Sequence, residues 1–394
     1  MTEQTSRQTA VQFGAGSVGR GFLGQLFSEG GLETIFIDTD ERLIDALETR
    51  RRYRLDIVGR QNESHSIAPV RALHANDRHA CATALTGAAI ACTAVGASAM
   101  SAAAQTIAAG LEQRLRDGGE PLTILVCENL PRADIVLRDA VLGFLPADLH
   151  GALTANVGFV RTVVARMTPV ATAAERADDV AAIRTEAYKT LPVDADAIVG
   201  TLPVIPGLSA VGRFQSQIDR KLFAHNGSHA VLGFLGWHAG LEFGWQALEV
   251  PQIYSFVAGA LNEVSRALQA EWGMTATEMS AYNADLLERF TNQALGDTCI
   301  RLCRDPRRKL AEDDRLVGAA RLCLKHSVTP VNIAAGIAAA VHYLVNPNEP
   351  LADLNNAQAG EVLRDTSNIR GTDPLLPLIH DQLDIMRAAN RRAI

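Results

Sequence analysis

Hydrophobic and polar positions near the start of the chain predict a strand, a helix and a second strand. Thr9–Phe13 is a short β-prone run, and a glycine-rich segment follows it directly. Apolar residues then recur at helical spacing between Phe22 and Phe27, until a Gly-Gly pair ends the pattern. Thr34–Asp38 is a second apolar strand, and Asp40 is placed to cap the helix after it. Together these elements form a βαβ unit, which predicts a parallel sheet.

Three further apolar runs continue the alternation of strands and helices. They are Tyr53–Val58, Ala88–Val95 and Leu122–Cys127, with helical patterns between the last two and after them. Strands that alternate with helices are typical of a doubly wound α/β sheet. The pattern therefore predicts an α/β, Rossmann-type dinucleotide-binding domain, to which we assign residues 1–195.

The pattern changes to mainly helical in the second half of the chain. Proline and glycine residues punctuate a short connecting region, and no internal repeat or low-complexity tract follows. Helical spacing of apolar residues then recurs in five segments: Val211–Gly236, Val257–Trp272, Ala276–Arg289, Asn332–Val345 and Pro374–Ala389. We expect residues 196–394 to form a mostly α-helical domain that binds the substrate and carries the catalytic residues.

Composition narrows the classes of protein and of partner. A net charge of −7 disfavours nucleic-acid binding, because a phosphate backbone requires a basic surface. The N-terminus lacks the apolar core of a signal peptide. The uncharged stretch Thr83–Leu111 is rich in alanine and glycine, which makes a membrane span unconvincing. The six cysteines form no CxxC pair, and free thiols favour a reducing compartment, so we expect a cytoplasmic protein. We expect it to be either a monomer or a small homo-oligomer.

The glycine-rich segment matches the fingerprint of a dinucleotide-binding loop. Gly14, Gly16 and Gly19 form GxGxxG between a predicted strand and a predicted helix. In this arrangement the backbone approaches a pyrophosphate, and the helix N-terminus stabilises its negative charge. Glycine-rich turns are common, but here the flanking elements support the functional interpretation. The expected cofactor-binding residues are Phe13, Gly14, Ala15, Gly16, Ser17, Val18, Gly19, Asp38, Thr93, Ala94, Val95 and Gly96.

Asp38 decides which dinucleotide the loop is expected to bind. It ends the second strand about twenty residues after the glycines, where an acid bonds the ribose 2′-hydroxyl. Together with Asp40 and Glu41 it would repel a 2′-phosphate, so the sequence favours NAD over NADP. Thr93–Gly96 closes another strand, where a nicotinamide ring is expected to lie.

The segment Asp219–Ala230 carries a candidate catalytic group. Lys221, Asn226 and His229 stand at i, i+5 and i+8, which on an α-helix span an arc of about 140°. Oxidation of an alcohol needs a base for the hydroxyl proton and donors for the developing negative oxygen. A lysine serves as the base when burial lowers its pKa. By spacing alone, a solvated helix face explains these residues better than a catalytic site does.

Several motifs together resemble the polyol-specific long-chain dehydrogenases, the mannitol dehydrogenase family. They occur in the expected order over almost the whole chain: FGAGSVGRGFLG, TAVG, CEN, RKLFAHNGSHA, the Arg289-Phe290 pair, RDPRRKL, DRL and GIAAAVHY. The resemblance implies a Rossmann-type domain followed by a helical domain. It also implies reversible hydride transfer between NAD and a polyol or a polyol phosphate, with mannitol 1-phosphate and fructose 6-phosphate as the expected pair.

The resemblance also implies roles for individual residues. Lys221 matches the general base of the family, Asn226 and Asn129 match the asparagines that hold the reacting oxygen, and His229 matches a substrate-contacting histidine. The family uses no zinc, and the sequence independently has no HExxH and no Cys/His cluster with zinc spacing. We therefore expect no metal.

The function of the chain stays open between three alternatives. The basic group Arg304, Arg307, Arg308 and Lys309 favours a phosphorylated polyol, because arginine forks match phosphate oxygens; a surface segment paired with nearby acids explains it equally well. A free polyol or a hexonate is the alternative within the enzyme class. A non-catalytic NAD-binding regulator is the alternative outside it. Glu186 and Tyr188 match a family segment whose role in orienting Lys221 or the substrate is undecided.

Overall fold

The computed structural model describes residues 7–60, 62–169 and 171–393. The chain divides into two compact units, Met1–Phe214 and Gln215–Ile394. This boundary differs from the predicted one at residue 195, since the strand Leu208–Val211 pairs with Leu191–Asp194 and belongs with the first unit. The local hydrophobic pattern does not show this pairing, because the prolines of the connecting region interrupt the pattern there.

A six-stranded parallel sheet forms the centre of the first unit, as the sequence predicted. Its strand order is β5-β2-β1-β6-β7-β8, the doubly wound arrangement in which the strand order reverses beside β1. The six strands are β1 (Thr9–Phe13), β2 (Glu33–Asp38), β5 (Val70–His74), β6 (Ile90–Thr93), β7 (Leu122–Val126) and β8 (Val157–Arg161). Side chains of β1 alternate between two apolar clusters, with Val11 in one and Ala10 in the other. The sheet is therefore buried on both faces.

Helices cover both faces of this sheet. The longest is α4, and the set is α1 (Gly24–Glu29), α2 (Glu41–Arg50), α3 (Arg78–Thr86), α4 (Met100–Arg116), α5 (Ala133–Phe144) and α6 (His150–Asn156). A further short helix, α7 (Ala173–Asp178), follows β8 and has no buried residue. As expected, Asp40 caps α2, and its Oδ1 accepts a hydrogen bond of 3.2 Å from the Leu43 N–H. This bond satisfies one of the N–H groups that a helix start leaves without a partner.

Two small sheets complete the first unit and change one expectation. Tyr53–Ile57 (β3) was predicted to continue the doubly wound pattern, but it pairs instead with β4 (Glu63–Ile67) and β9 (Ile183–Thr185). The third sheet consists of β10 (Leu191–Asp194) and β11 (Leu208–Val211). The hydrophobic pattern identifies β3 as a strand, but it does not specify which partners the strand pairs with.

The second unit is helical over its described residues. Its helices are α8 (Gln215–Asp219), α9 (Gly227–His238), α10 (Gly244–Glu249), α11 (Pro251–Trp272), α12 (Ala276–Phe290), α13 (Cys299–Leu302), α14 (Pro306–Lys309), α15 (Val317–Lys325), α16 (Val331–Val345), α17 (Asn356–Ser367) and α18 (Leu375–Ala393). A π-helical segment, Arg220–Asn226, joins α8 to α9 without a break. We call this segment the π-turn.

Candidate active site

The glycine loop lies against the end of the neighbouring strand β6. Gly14 has a φ of +90°, and a Cβ there would lie 2.3 Å from the Ala94 carbonyl oxygen, so only glycine fits. The Ala94 N–H in turn donates a 2.8 Å hydrogen bond to the Phe13 carbonyl. At Gly16, by contrast, the space that a Cβ would occupy is open. The loop thus has room for a ligand to approach the backbone where the sequence predicted a pyrophosphate.

Asp38 is tied to the glycine loop in addition to standing at the end of β2. Its Oδ2 accepts a 2.6 Å hydrogen bond from the Ala15 N–H, and its Oδ1 accepts a 2.7 Å bond from the Thr39 N–H. Oδ1 also accepts a 3.2 Å hydrogen bond from the Asp40 N–H, so the second lone pair of Oδ2 is the acceptor left for a ribose hydroxyl. The sequence placed Asp38 at a ribose but did not reveal that it also orders the loop.

Glu128 is a residue of this region that the sequence analysis missed. It follows β7, and its carboxylate accepts hydrogen bonds from two consecutive N–H groups, Val95 at 2.8 Å and Gly96 at 2.9 Å. The loop that ends β6 is therefore held by an acid from the adjacent strand. The next residue, Asn129, is exposed. An acid directly after an apolar strand, at the carboxyl edge of the sheet, was the available signal.

The two hydrogen bonds that Glu128 accepts from Val95 and Gly96 predict an effect of this residue on dinucleotide binding. In Glu128→Gln one carboxylate oxygen becomes an NH₂ group that faces an N–H donor, so one charge-assisted bond is lost. We expect the Kd for NADH to rise about tenfold, as measured by fluorescence titration. Glu120→Gln, at an exposed glutamate just before β7, is the matched control. An unchanged Kd in Glu128→Gln would show that the loop does not contribute to dinucleotide binding.

In the second unit, the π-turn sets the spacing of the predicted catalytic residues. Lys221 and Asn226 are five residues apart, and in a π-helix the i→i+5 hydrogen bond places such residues one turn apart on the same face. His229 follows Asn226 by three residues in α9, which again is one turn along the same face. The structure therefore aligns an amine, an amide and an imidazole more closely than an uninterrupted α-helix does.

Lys221 has the electrostatic environment that a lysine base needs. Burial disfavours its charged form, and the positive charge of Arg315 adds to this, so the pKa of Lys221 falls to about 8. A lysine with that pKa releases and takes up a proton close to physiological pH. The Lys221 amine is thus able to act as a base in one direction of a reaction and as an acid in the other.

Two residues from other elements orient His229. Its ring stacks on Phe290 at the end of α12, with ring centroids 4.5 Å apart and an interplanar angle of 6°. Its Nε2 lies 3.3 Å from Oδ2 of Asp297, a residue in the loop before α13. Neither partner was assigned from the sequence, although Phe290 belongs to the Arg-Phe motif. Contacts on two sides restrict the imidazole to one orientation.

His225 lies beside the residues of this group. An α-helical projection of the sequence places it on another helix face, but its buried ring lies 6.1 Å from the His229 ring and 5.8 Å from the Phe290 ring, centroid to centroid. The π-helical winding changes the angle between successive residues, which an α-helical projection does not anticipate. Burial and the nearby Arg289 hold the pKa of His225 far below its ordinary value, so it remains neutral.

Family models of known proteins match both units of the chain. The model of the mannitol dehydrogenase Rossmann domain matches residues 8–207, and that of the mannitol dehydrogenase C-terminal domain matches residues 214–380. The chain belongs to the mannitol dehydrogenase family. The predictions of the family, the fold class and a dehydrogenase are therefore confirmed.

Individual relatives of this family member cover nearly its full length. Mannitol-1-phosphate 5-dehydrogenase of Bacillus licheniformis is 32% identical over 379 residues, which is 95% of this chain and 99% of the relative. A D-sorbitol dehydrogenase in its substrate-free form is 19% identical, with a TM-score of 0.82 and coverage of 98% and 94%. Mannitol 2-dehydrogenase of Pseudomonas fluorescens, in a complex with NAD and D-mannitol, is 19% identical, with a TM-score of 0.71 and coverage of 99% and 93%. At 19% identity the two structures show the shared fold.

The basic group predicted to bind phosphate in this family member is not one surface. Arg304, Arg307 and Arg308 are exposed, and Arg308 lies 3.6 Å from Asp305. Lys309 is buried; its ammonium donates to the Leu302 carbonyl and lies 5.8 Å from the centre of the Phe234 ring. Burial and Arg315 lower the pKa of Lys309 to about 8. The structure thus separates Lys309 from the three arginines.

Other predicted features can be placed as well. Glu186 is buried and accepts a 2.6 Å hydrogen bond from the Met167 N–H, while its carbonyl accepts one from Arg166. Glu186 and the partly buried Tyr188 lie between β9 and β10 of the first unit. Among the described residues, no cluster of three or more His, Cys, Asp and Glu side chains is arranged to hold a metal ion. None of the described helices is both long and apolar enough to cross a membrane.

Proposed function

We propose that this protein is an NAD-dependent, metal-independent polyol phosphate dehydrogenase with Lys221 as its general base. The observation that carries the proposal is the π-turn, which aligns Lys221, at a pKa of about 8, with Asn226 and His229. A solvated helix face does not explain a lysine with so low a pKa. It also does not explain a histidine fixed by Phe290 and Asp297.

The first unit has the features that NAD requires. Gly16 leaves the backbone open, and the helical winding that begins at Ser17 directs N–H groups towards a pyrophosphate. Oδ2 of Asp38 retains a lone pair for the ribose 2′-hydroxyl, and the charge of Asp38 disfavours the 2′-phosphate of NADP. NAD, when bound, supplies the hydride acceptor at C4 of its nicotinamide.

The residues of the chain then provide proton transfer and charge stabilisation. In the oxidation, Nζ of neutral Lys221 takes the proton of the substrate hydroxyl while the carbon loses its hydride. The Asn226 amide donates a hydrogen bond to the same oxygen as negative charge develops there, and Asn129 is proposed as a second donor. His229 binds a neighbouring hydroxyl and positions the substrate. In the reduction, protonated Lys221 returns the proton to the oxygen.

Mannitol 1-phosphate and fructose 6-phosphate are the proposed substrate and product. The support is the name of the Bacillus licheniformis relative and its 32% identity over 95% of this chain. A free polyol or a hexonate is the alternative substrate. All six cysteines are free and buried, which agrees with the reducing cytoplasm as the proposed location.

Formation of NADH from a polyol panel tests this proposal. We expect kcat/KM for mannitol 1-phosphate to exceed that for mannitol by about 100-fold or more, because the phosphate adds charge-assisted hydrogen bonds. Activity should persist after prolonged dialysis against EDTA, and NAD should be preferred over NADP. A free polyol as the best substrate would support the alternative. Activity that only zinc restores would contradict the metal-free mechanism, and NADH binding without turnover of any substrate would indicate a regulator.

A further inference from the structure

Positive charge accumulates in the second unit around the π-turn. Lys221 on the π-turn, Lys309 at the end of α14 and Arg315 just before α15 are all buried or partly buried. The charge of Arg315 acts on both lysines and on His225, and in each case it lowers the pKa. Arg315 therefore lies within electrostatic reach of all three side chains. Cations gathered at a partly buried position favour the binding of an anion.

Arg315 is positioned by contacts on its backbone and on one edge of its guanidinium. Its N–H and its Nε both donate 2.6 Å hydrogen bonds to Oδ1 of Asp314. Its carbonyl oxygen lies against the start of α9, where a Cβ on Gly227 would come within 2.8 Å of it. The side chain is only 15% exposed. The hydrogen bonds that Arg315 donates to Asp314 come from its backbone N–H and its Nε. Among the described contacts of Arg315, none uses the two terminal Nη groups, so they are available to a ligand.

The opposing negative charge at this place is small. Asp314 is the carboxylate that contacts Arg315, and the Lys309 ammonium donates to the Leu302 carbonyl. Asp305 also acts on Lys309, but it raises the pKa less than burial and Arg315 lower it. The exposed arginines that the sequence predicted as phosphate ligands differ from Arg315 and Lys309, because water already solvates them. Desolvated cations with few acidic partners gain more from a bound anion than solvated ones do.

We propose that Arg315 binds the phosphate of the substrate through its terminal Nη groups, in place of the exposed Arg304, Arg307 and Arg308. This inference rests on the proposed function, because it identifies the phosphate ligand of that same substrate. The planar guanidinium matches two phosphate oxygens, and the dianion offsets the positive charge of Arg315 and Lys309. Lys309 acts through its charge from the buried side. Arg315 would thereby select a phosphorylated polyol over a free one.

Steady-state kinetics of two variants test Arg315 against the exposed arginines. In Arg315→Ala we expect kcat/KM for mannitol 1-phosphate to fall about 100-fold, chiefly through KM, while kcat/KM for mannitol changes less than about threefold. The double variant Arg304→Ala/Arg307→Ala removes two positive charges from the surface nearby. We expect it to keep the wild-type ratio of kcat/KM for mannitol 1-phosphate to kcat/KM for mannitol. If the double variant alone lost this preference for the phosphate, the exposed arginines would be the phosphate ligands and the proposal would be overturned.

A second readout separates phosphate binding from a structural role of Arg315. Inorganic phosphate should compete with mannitol in the wild-type enzyme but much more weakly in Arg315→Ala. The apparent pKa for mannitol oxidation should rise in Arg315→Ala, because the charge that lowers the pKa of Lys221 is gone. The pKa of His225 should change little, because burial and Arg289 lower it more than Arg315 does. Arg315→Lys keeps the charge and should keep that apparent pKa, yet it should lose most of the phosphate preference.

Folding and function are controlled separately. Thermal melting and NADH binding establish that each variant is folded, and Arg315→Lys replaces the alanine variant if the latter does not fold. Wild-type enzyme that oxidises neither polyol nor polyol phosphate would contradict the proposed function. Wild-type enzyme that prefers the phosphate, together with an Arg315→Lys variant that keeps the full preference, would contradict this inference alone.

Discussion

Replacing Lys221 by alanine should lower kcat for polyol oxidation by about 10²–10⁴-fold, the range in which the loss of a general base falls. The pKa of Lys221 is lowered to about 8, and the base acts in its neutral form. Oxidation by the wild-type enzyme should therefore rise with pH through about 8, and reduction should fall over the same range. Both dependences should disappear in Lys221→Ala. Stopped-flow measurement of NADH formation between pH 6 and 10 provides the test.

The control for this variant is Lys325→Ala. Lys325 lies in the same unit at the end of α15, where its exposed ammonium pairs with Glu271 at 2.6 Å. The Lys325→Ala variant should keep the wild-type kcat and pH profile, and NADH binding should be normal in both Lys325→Ala and Lys221→Ala. Turnover close to wild type in Lys221→Ala, with the same pH profile, would mean that another group is the base. His229 is then the next residue to test.

Replacing Asp38 by alanine should affect both the choice and the binding of the dinucleotide. The substitution removes the acceptor for the ribose hydroxyl, the repulsion of a 2′-phosphate and the 2.6 Å bond that holds the Ala15 N–H. We expect kcat/KM for NAD to fall about 10–100-fold, as the loss of one or two charge-assisted hydrogen bonds requires. The value for NADP should change much less, so the preference narrows.

Asp148→Ala is the matched control for Asp38. Asp148 is an exposed aspartate in the same unit, paired with Arg116 at 3.2 Å, and its loss should leave both cofactor values unchanged. Equal kcat/KM for NAD and NADP in the wild-type enzyme would show that Asp38 does not select the cofactor. A loss in Asp38→Ala that is equal for NAD and NADP would show that Asp38 acts only through the loop.

The sequence by itself determined the features that depend on local pattern. Alternating apolar strands and helices specified the doubly wound sheet, and the glycine spacing placed the loop between β1 and the following helix, because each depends on neighbours in the chain. The Lys221, Asn226 and His229 segment was likewise found by its spacing and its resemblance to a family. These features repeat wherever the same local geometry is needed, so a single sequence reveals them.

Only the tertiary structure decided which residues support those groups. The Glu128 clamp on Val95 and Gly96 and the Asp297 contact with His229 join residues that are distant in the chain, so no local periodicity predicts them. The burial of Lys309 and its separation from the exposed arginines depend on how α14 packs, since neighbouring residues on a helix point in different directions. The pKa of Lys221 follows from desolvation and from Arg315, which only folding brings near the π-turn.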